Sequence, residues 1–207
     1  CAQALGIEAL AVPVSCNTAI EACGAFQLVE RTRIGSPYVL DNMAELNKRF
    51  ARVAGFEANG GFLLGSSLES DGRQLAALPT RDALLPALTL MVMAAQRGVN
   101  LSQLIADLPA RYTASDRLKD FATEKSHALL AEWQASPELM QQTLGLRAGI
   151  SAINSTDGLR ATLENGDIVH LRPSGNAPEL RCYSESASQA DASALVKQSL
   201  AALEKLS

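Results

Sequence analysis

The period of the apolar positions changes along this chain, and each change marks an element. Residues 7–14 are almost continuously apolar, with Pro13 near the end, which is the pattern of a strand buried on both faces. A short helix follows, capped by Asn17 and closed at Gly24, with Ala19, Ile20 and Ala22 as its apolar surface. Residues 26–34 read as a second strand. After Asp41, Leu40, Met43, Leu46 and Phe50 recur as a helical stripe. The longest helical pattern follows Thr80, where Leu84, Leu85, Leu88, Met91, Val92 and Ala95 share one broad face before Gly98. Met91 and Met93 are expected to fill a core there, and a shorter helix covers residues 101–108.

Pro109 is the expected domain boundary, because the periodicity changes character after it. Residues 122–134 look helical, Ser136-Pro137 opens another helix, and Gly145 closes it. Strand signals then recur at residues 150–154, 159–163, 167–171 and 180–185, with Asp157-Gly158 and Asn165-Gly166 as turns. A last helix opens at the capping box of residues 188–191 and carries Leu195, Val196, Leu200 and Leu203. The strand–helix alternation of residues 1–108 predicts an α/β domain, and residues 109–207 predict an α+β domain with an antiparallel sheet. Trp133 and Tyr183 read as packing residues.

Composition narrows the function classes. With 47% hydrophobic and 19% charged residues over 207 positions, the chain is of the ordinary globular kind. A net charge of −4 argues against a broad surface for nucleic acid or acidic lipid, so any basic site must be local. The apolar run near residues 83–95 is broken by Pro86 and Thr89 and is too short to cross a bilayer. Cys1, Cys16, Cys23 and Cys182 have no metal or redox spacing and point to a reduced, cytoplasmic setting. His127 and His170 have no ligand partners at helical spacing, so no metal site is expected in this chain. Residues 1–6 read as the tail of a helix begun earlier, which predicts a piece of a longer polypeptide.

Two loops carry the candidate chemistry. Arg172-Pro173-Ser174-Gly175-Asn176-Ala177-Pro178-Glu179-Leu180-Arg181 lies between two strand signals. Its two guanidinium groups can grip a phosphate, Ser174 offers a hydroxyl, and the backbone of Gly175, Asn176 and Ala177 can turn N–H groups inward. The alternative is an exposed hairpin loop in which Arg172 and Arg181 pair with neighbours such as Glu179 or Glu185. Gly55-Phe56-Glu57-Ala58-Asn59-Gly60-Gly61 sets a carboxylate and a carboxamide among three glycines, which suits contacts to vicinal sugar hydroxyls.

In this order and at this separation the two loops resemble the C-terminal half of a phosphohexomutase of the phosphomannomutase/phosphoglucomutase type. Thr32-Arg33-Ile34-Gly35-Ser36-Pro37-Tyr38-Val39 also resembles a third-domain loop of that family that lies beside the substrate. The resemblance implies a third, α/β domain and a fourth domain with a TATA-box-binding-protein-like antiparallel sheet. It implies sugar contacts from Glu57, Asn59 and Ser36, and phosphate contacts from Arg172, Ser174, Gly175, Asn176 and Arg181. Asn59 and Gly61 stand where the family usually has Ser and often has His, and Asn176 and Ala177 replace Thr and Glu, so the sugar preference is open. The family's phosphoserine loop and Mg²⁺ loop do not occur in this sequence. Mutase chemistry, with Mg²⁺ and a hexose 1,6-bisphosphate, would therefore need N-terminal domains of the same polypeptide, and no catalytic residue is expected here. A stand-alone phosphosugar- or anion-binding module is the rival reading, and a nucleic-acid-binding domain a third, which the acidic balance weakens.

Overall fold

Five consecutive buried residues form strand β1 (Ala9–Pro13), the centre from which the first half of the chain is built. The computed structural model describes residues 1–70 and 72–206 and divides into two units, Cys1–Pro109 and Ala110–Ser207. In the first unit β1 is followed by α1 (Ala19–Ala22), β2 (Leu28–Thr32), α2 (Ser36–Leu46), β3 (Val53–Phe56) and β4 (Phe62–Leu64). Then come β5 (Leu68–Ser70), β6 (Arg73–Leu75), β7 (Leu78–Asp82), α3 (Leu84–Arg97) and α4 (Leu101–Ala106). The main sheet has the order β2-β1-β3-β4-β7. Strand β1 is parallel to both neighbours, Ala9 facing Leu28 on one side and Val53 on the other, while β4 runs antiparallel to β3 and β7.

Both faces of this sheet are covered. Val39, Met43 and Leu46 of α2 pack on Ala9, Ala11, Val53 and Leu63. Leu10, Val12, Ala54 and Leu64 pack on the other side with Ala2, Ile7 and Cys16. Gly55 is needed for the close approach of α2, since a Cβ there would meet Val39 Cγ1 at 2.5 Å and Met43 Sδ at 2.7 Å.

Several sequence expectations fail here for identifiable reasons. Helix α2 begins at Ser36, before Asp41, because Pro37 fits its first turn, and Phe50 lies beyond its end. Helix α1 starts one residue later than expected, with Thr18 at the cap position, but Asn17 still caps it, its Oδ1 accepting from the Ala19 N–H at 3.3 Å. Thr80 lies inside β7, and Asp82 Oδ1 caps α3 by accepting from the N–H groups of Leu84 (2.7 Å) and Leu85 (3.2 Å). The apolar face of α3 does not fill a core. Leu84 is 73% exposed, Leu88 58% and Met91 62%, and of the stripe only Leu85 packs against the buried cluster. Periodicity identified the stripe but could not say what covers it.

The second unit runs β8 (Tyr112–Leu118), α5 (Thr123–Ala135), α6 (Pro137–Leu144), β9 (Ile150–Asn154), β10 (Leu159–Leu163), β11 (Ile168–Pro173), β12 (Leu180–Ser186) and α7 (Gln189–Glu204). Its antiparallel sheet has the order β8-β12-β11-β10-β9. Leu159, Ala161, Val169, Leu171, Leu180 and Cys182 line one face and bury against Trp133, Met140, Leu144, Val196 and Leu203 of the helices. Residues one step along point to the opposite face. There the register aligns Arg172 with Arg181 and Arg181 with Arg117, and it aligns His170 with both Arg160 and Tyr183. No helix among the described residues is long and apolar enough to cross a membrane.

Candidate functional site

Strands β2 and β3 flank β1 in parallel, so their carboxyl ends emerge at one edge of the sheet, where ligands of α/β layers tend to bind. Ser36 follows β2 as the first residue of α2, and Glu57 follows β3. The backbone folds back over residues 57–61, with the Glu57 N–H donating to Gly61 O and the Gly60 N–H to Glu57 O, each at 3.0 Å. Gly60 has φ +87°, which a side chain would strain. Asn59 Oδ1 accepts from the Gly61 N–H at 3.0 Å, so its carbonyl is spent on the loop while the residue itself is exposed.

The Glu57 carboxylate is buried, and a residue that no motif flagged holds it. Arg81, from β7, donates from Nε to Glu57 Oε2 at 2.9 Å and brings Nη2 to 2.9 Å from the same oxygen. Ser36 Oγ donates to Oε2 at 3.0 Å and accepts from Arg81 Nε at 3.2 Å. The Ser36 hydroxyl is thus engaged within the protein. Oε1 has no protein partner among the described residues. Arg81 lies 24 positions from Glu57 and meets it only through the pairing of β4 with β7, so no local signal could have found it.

Cys16, just beyond β1, is not a nucleophile. Burial pushes its thiol up to about 11, with Arg31 pulling it down and Glu57 adding to the rise, so it is neutral at ordinary pH. Arg31 ties down the neighbouring backbone by donating to the carbonyls of Pro13 (3.1 Å), Cys16 (2.6 Å) and Asn17 (3.1 Å).

In the second unit Arg172 sits within β11 and Arg181 within β12, so residues 174–179 form the connection. It is closed by the Ser174 N–H donating to Glu179 O at 2.8 Å. Ser174 is buried, and its Oγ accepts a long contact of 3.4 Å from the Asn176 N–H. Gly175 has open space where a side chain would be, so no neighbouring atom of the protein demands a glycine there. Arg172 forms an ion pair with Asp157, Nε to Oδ1 2.9 Å, although Nε is not aligned as a hydrogen-bond donor. The Arg181 side chain makes no ion pair or hydrogen bond among the described residues. Arg117 approaches Glu179 at 3.4 Å, and Glu185 belongs to Arg111 at 2.6 Å. Neither arginine pairs with Glu179 or Glu185, but Arg172 does pair with another neighbouring carboxylate, Asp157, as the alternative expected in kind.

His170 braces this region. Its Nε2 lies 2.6 Å from the Asp157 carbonyl, which assigns the proton to Nε2, and its ring stacks on Tyr183 at 5.3 Å. Burial pushes its pKa down to about 4, so it is neutral and fixes the turn that carries Asp157. Among the described residues no group of three or more His, Cys, Asp or Glu side chains could hold a metal ion.

The sequence matches two family descriptions in succession. Residues 2–112 match "Phosphoglucomutase/phosphomannomutase, alpha/beta/alpha domain III" and residues 115–202 match "Phosphoglucomutase/phosphomannomutase, C-terminal domain". A phosphomannomutase of Salmonella muenchen is 48% identical over 198 residues, covering 95% of this chain and 41% of that protein. A phosphomannomutase of Sinorhizobium fredii is 41% identical over 204 residues, covering 98% of this chain and 43% of that protein. The chain thus spans about two fifths of the length of these curated relatives. The fold is shared with an Aspergillus fumigatus N-acetylphosphoglucosamine mutase solved in complex with GlcNAc-6P and magnesium. That likeness has a TM-score of 0.60 and 16% identity, and covers 98% of this chain and 40% of the other.

Proposed function

The chain belongs to the phosphoglucomutase/phosphomannomutase family, and from that premise we propose that it supplies the sugar and phosphate recognition of an enzyme interconverting hexose 1-phosphate and hexose 6-phosphate. The observation that carries the reading is the state of Glu57. Its carboxylate is held through one oxygen at the carboxyl edge of parallel strands, and the other oxygen is left to accept a hydroxyl proton. The Asn59 side-chain NH₂ is the matching donor, while Ser36 acts through Glu57.

The phosphate group of the ligand belongs, in this reading, with the loop of the second unit. Arg181 supplies a guanidinium without a partner among the described residues, Arg172 adds charge from its pair with Asp157, and Ser174, Gly175 and Asn176 supply hydroxyl and backbone donors. A phosphate held this way gives binding energy remote from the reacting centre, which is how a substrate is oriented without being transformed there. Magnesium, which the family resemblance implies, does not fit the residues of this chain, because no acidic cluster converges among those described. We assign the metal, the phosphoryl-carrying residue and the use of a hexose 1,6-bisphosphate to other parts of a longer polypeptide. All four cysteines are free thiols, which accords with a cytoplasmic enzyme.

The test is turnover of mannose and glucose 1-phosphates by the complete polypeptide. Arg181→Ala should cost roughly 2–5 kcal/mol of transition-state stabilisation, read from kcat/KM. Absence of turnover with every hexose phosphate, or an unchanged kcat/KM in that variant, would overturn the reading.

A further inference from the structure

We propose that Arg81 is a positioning residue that sets sugar recognition by locking Glu57 so that Oε1 alone is offered to the ligand; this rests on the reading of Glu57 given above. Two hydrogen bonds converge on Oε2, from Arg81 Nε at 2.9 Å and Ser36 Oγ at 3.0 Å, and Arg81 Nη2 adds an ion-pair contact at 2.9 Å. The Arg81 Nε to Ser36 Oγ contact of 3.2 Å closes the triangle. A carboxylate gripped at one oxygen from two directions cannot rotate about its last bond without breaking charge-assisted hydrogen bonds. The result is an acceptor of fixed direction, which is what discrimination between epimeric hydroxyls requires.

The position of Gly61 supports this role. Its φ is not in the left-handed region, so the glycine is not required by the turn. A Cβ at position 61 would instead lie 3.1 Å from Arg81 Cγ, 3.3 Å from Arg81 Cδ and 3.3 Å from Asn59 Oδ1. Gly61 therefore clears the path of the Arg81 stem from β7 to Glu57. The Arg81 side chain is 57% exposed while that of Glu57 is 7% exposed, so the arginine lies over the loop and ends in a buried acceptor. A lysine could reach the same oxygen but would lack the planar fork that sets the angle.

The experiment compares kcat, KM and melting temperature for the complete polypeptide and its Glu57→Gln, Arg81→Ala, Arg81→Lys, Gly61→Ala and Arg81→Ala/Gly61→Ala variants. Mannose 1-phosphate and glucose 1-phosphate, which differ at one hydroxyl, are the substrates. Arg81→Ala should lower kcat/KM by about 10- to 100-fold, mainly through KM, and narrow the ratio between the two sugars. Gly61→Ala should do the same by displacing the Arg81 stem, and the double variant should be no worse than Arg81→Ala alone. Arg81→Lys should recover part of the rate. If Glu57→Gln impairs both sugars while Arg81→Ala and Gly61→Ala change neither rate nor ratio, the inference fails and the reading of Glu57 stands. A lowered melting temperature with an unchanged sugar ratio in Arg81→Ala also overturns it, because the arginine is then only structural. A silent Glu57→Gln overturns the reading of Glu57 and this inference with it.

Discussion

Arg172 and Arg181 face each other across β11 and β12, yet their surroundings divide their work. Arg172 is mostly buried against Asp157, whose side chain is 10% exposed, whereas Arg181 has no such partner. Arg172→Ala should therefore destabilise the chain by about 1–3 kcal/mol in urea unfolding, since a buried charge loses its counter-ion. Arg181→Ala should change stability by less than about 1 kcal/mol, which makes it the cleaner probe of anion binding. His170 gives the second prediction at this scale. Its folded pKa of about 4 lies below the ordinary 6.5, so between those values the unfolded chain binds more protons. The stabilisation is present above about pH 6.5 and is lost as pH falls toward 4, by about 3 kcal/mol in total. His170→Gln should remove that part of the acid sensitivity, and equal slopes of stability against pH in both proteins would contradict the assignment. Glu57 and Ser174 could be proposed from the sequence because glycine-rich loops announce themselves locally. Arg81, Asp157 and Arg117 were not, because strand register brings them to their partners from distant positions.

Among elements, the buried strands and the glycine-closed helices were readable and the edges were not. Strand β1 is apolar throughout and α6 ends at Gly145 with φ +62°, each a strong local signal. Strands β5, β6 and β7 are short and largely exposed, and β8 is exposed at most of its positions, so none carried an alternating pattern strong enough to see. Helix α3 is the instructive failure. Its stripe has helical period, but Leu88 and Met91 stand in solvent and its core contact is limited to its first turn. Replacing Leu88 or Met91 by Gln should leave the unfolding free energy within about 0.5 kcal/mol of the parent. Leu171→Ala, in the core of the second unit, should cost about 2–5 kcal/mol. A large loss at Leu88 would mean that α3 is packed in a way the structure does not show.

At the scale of the molecule, two units have separate cores, and the proposed function assigns one recognition loop to each. The chain spans 41% and 43% of the two phosphomannomutases described above, and the division of labour proposed above assigns it recognition and leaves phosphoryl transfer elsewhere. That central claim can be tested on this chain itself by following backbone amide shifts of the isotope-labelled protein during titration. Inorganic phosphate should move residues 174–177 and leave residues 57–61 unmoved, because the proposal assigns the anion to the second unit. Mannose 1-phosphate should move residues 174–177 through its phosphate group and residues 57–61 through its hydroxyls, each loop being read within its own unit. Millimolar mannose 1-phosphate that shifts neither loop would contradict the account.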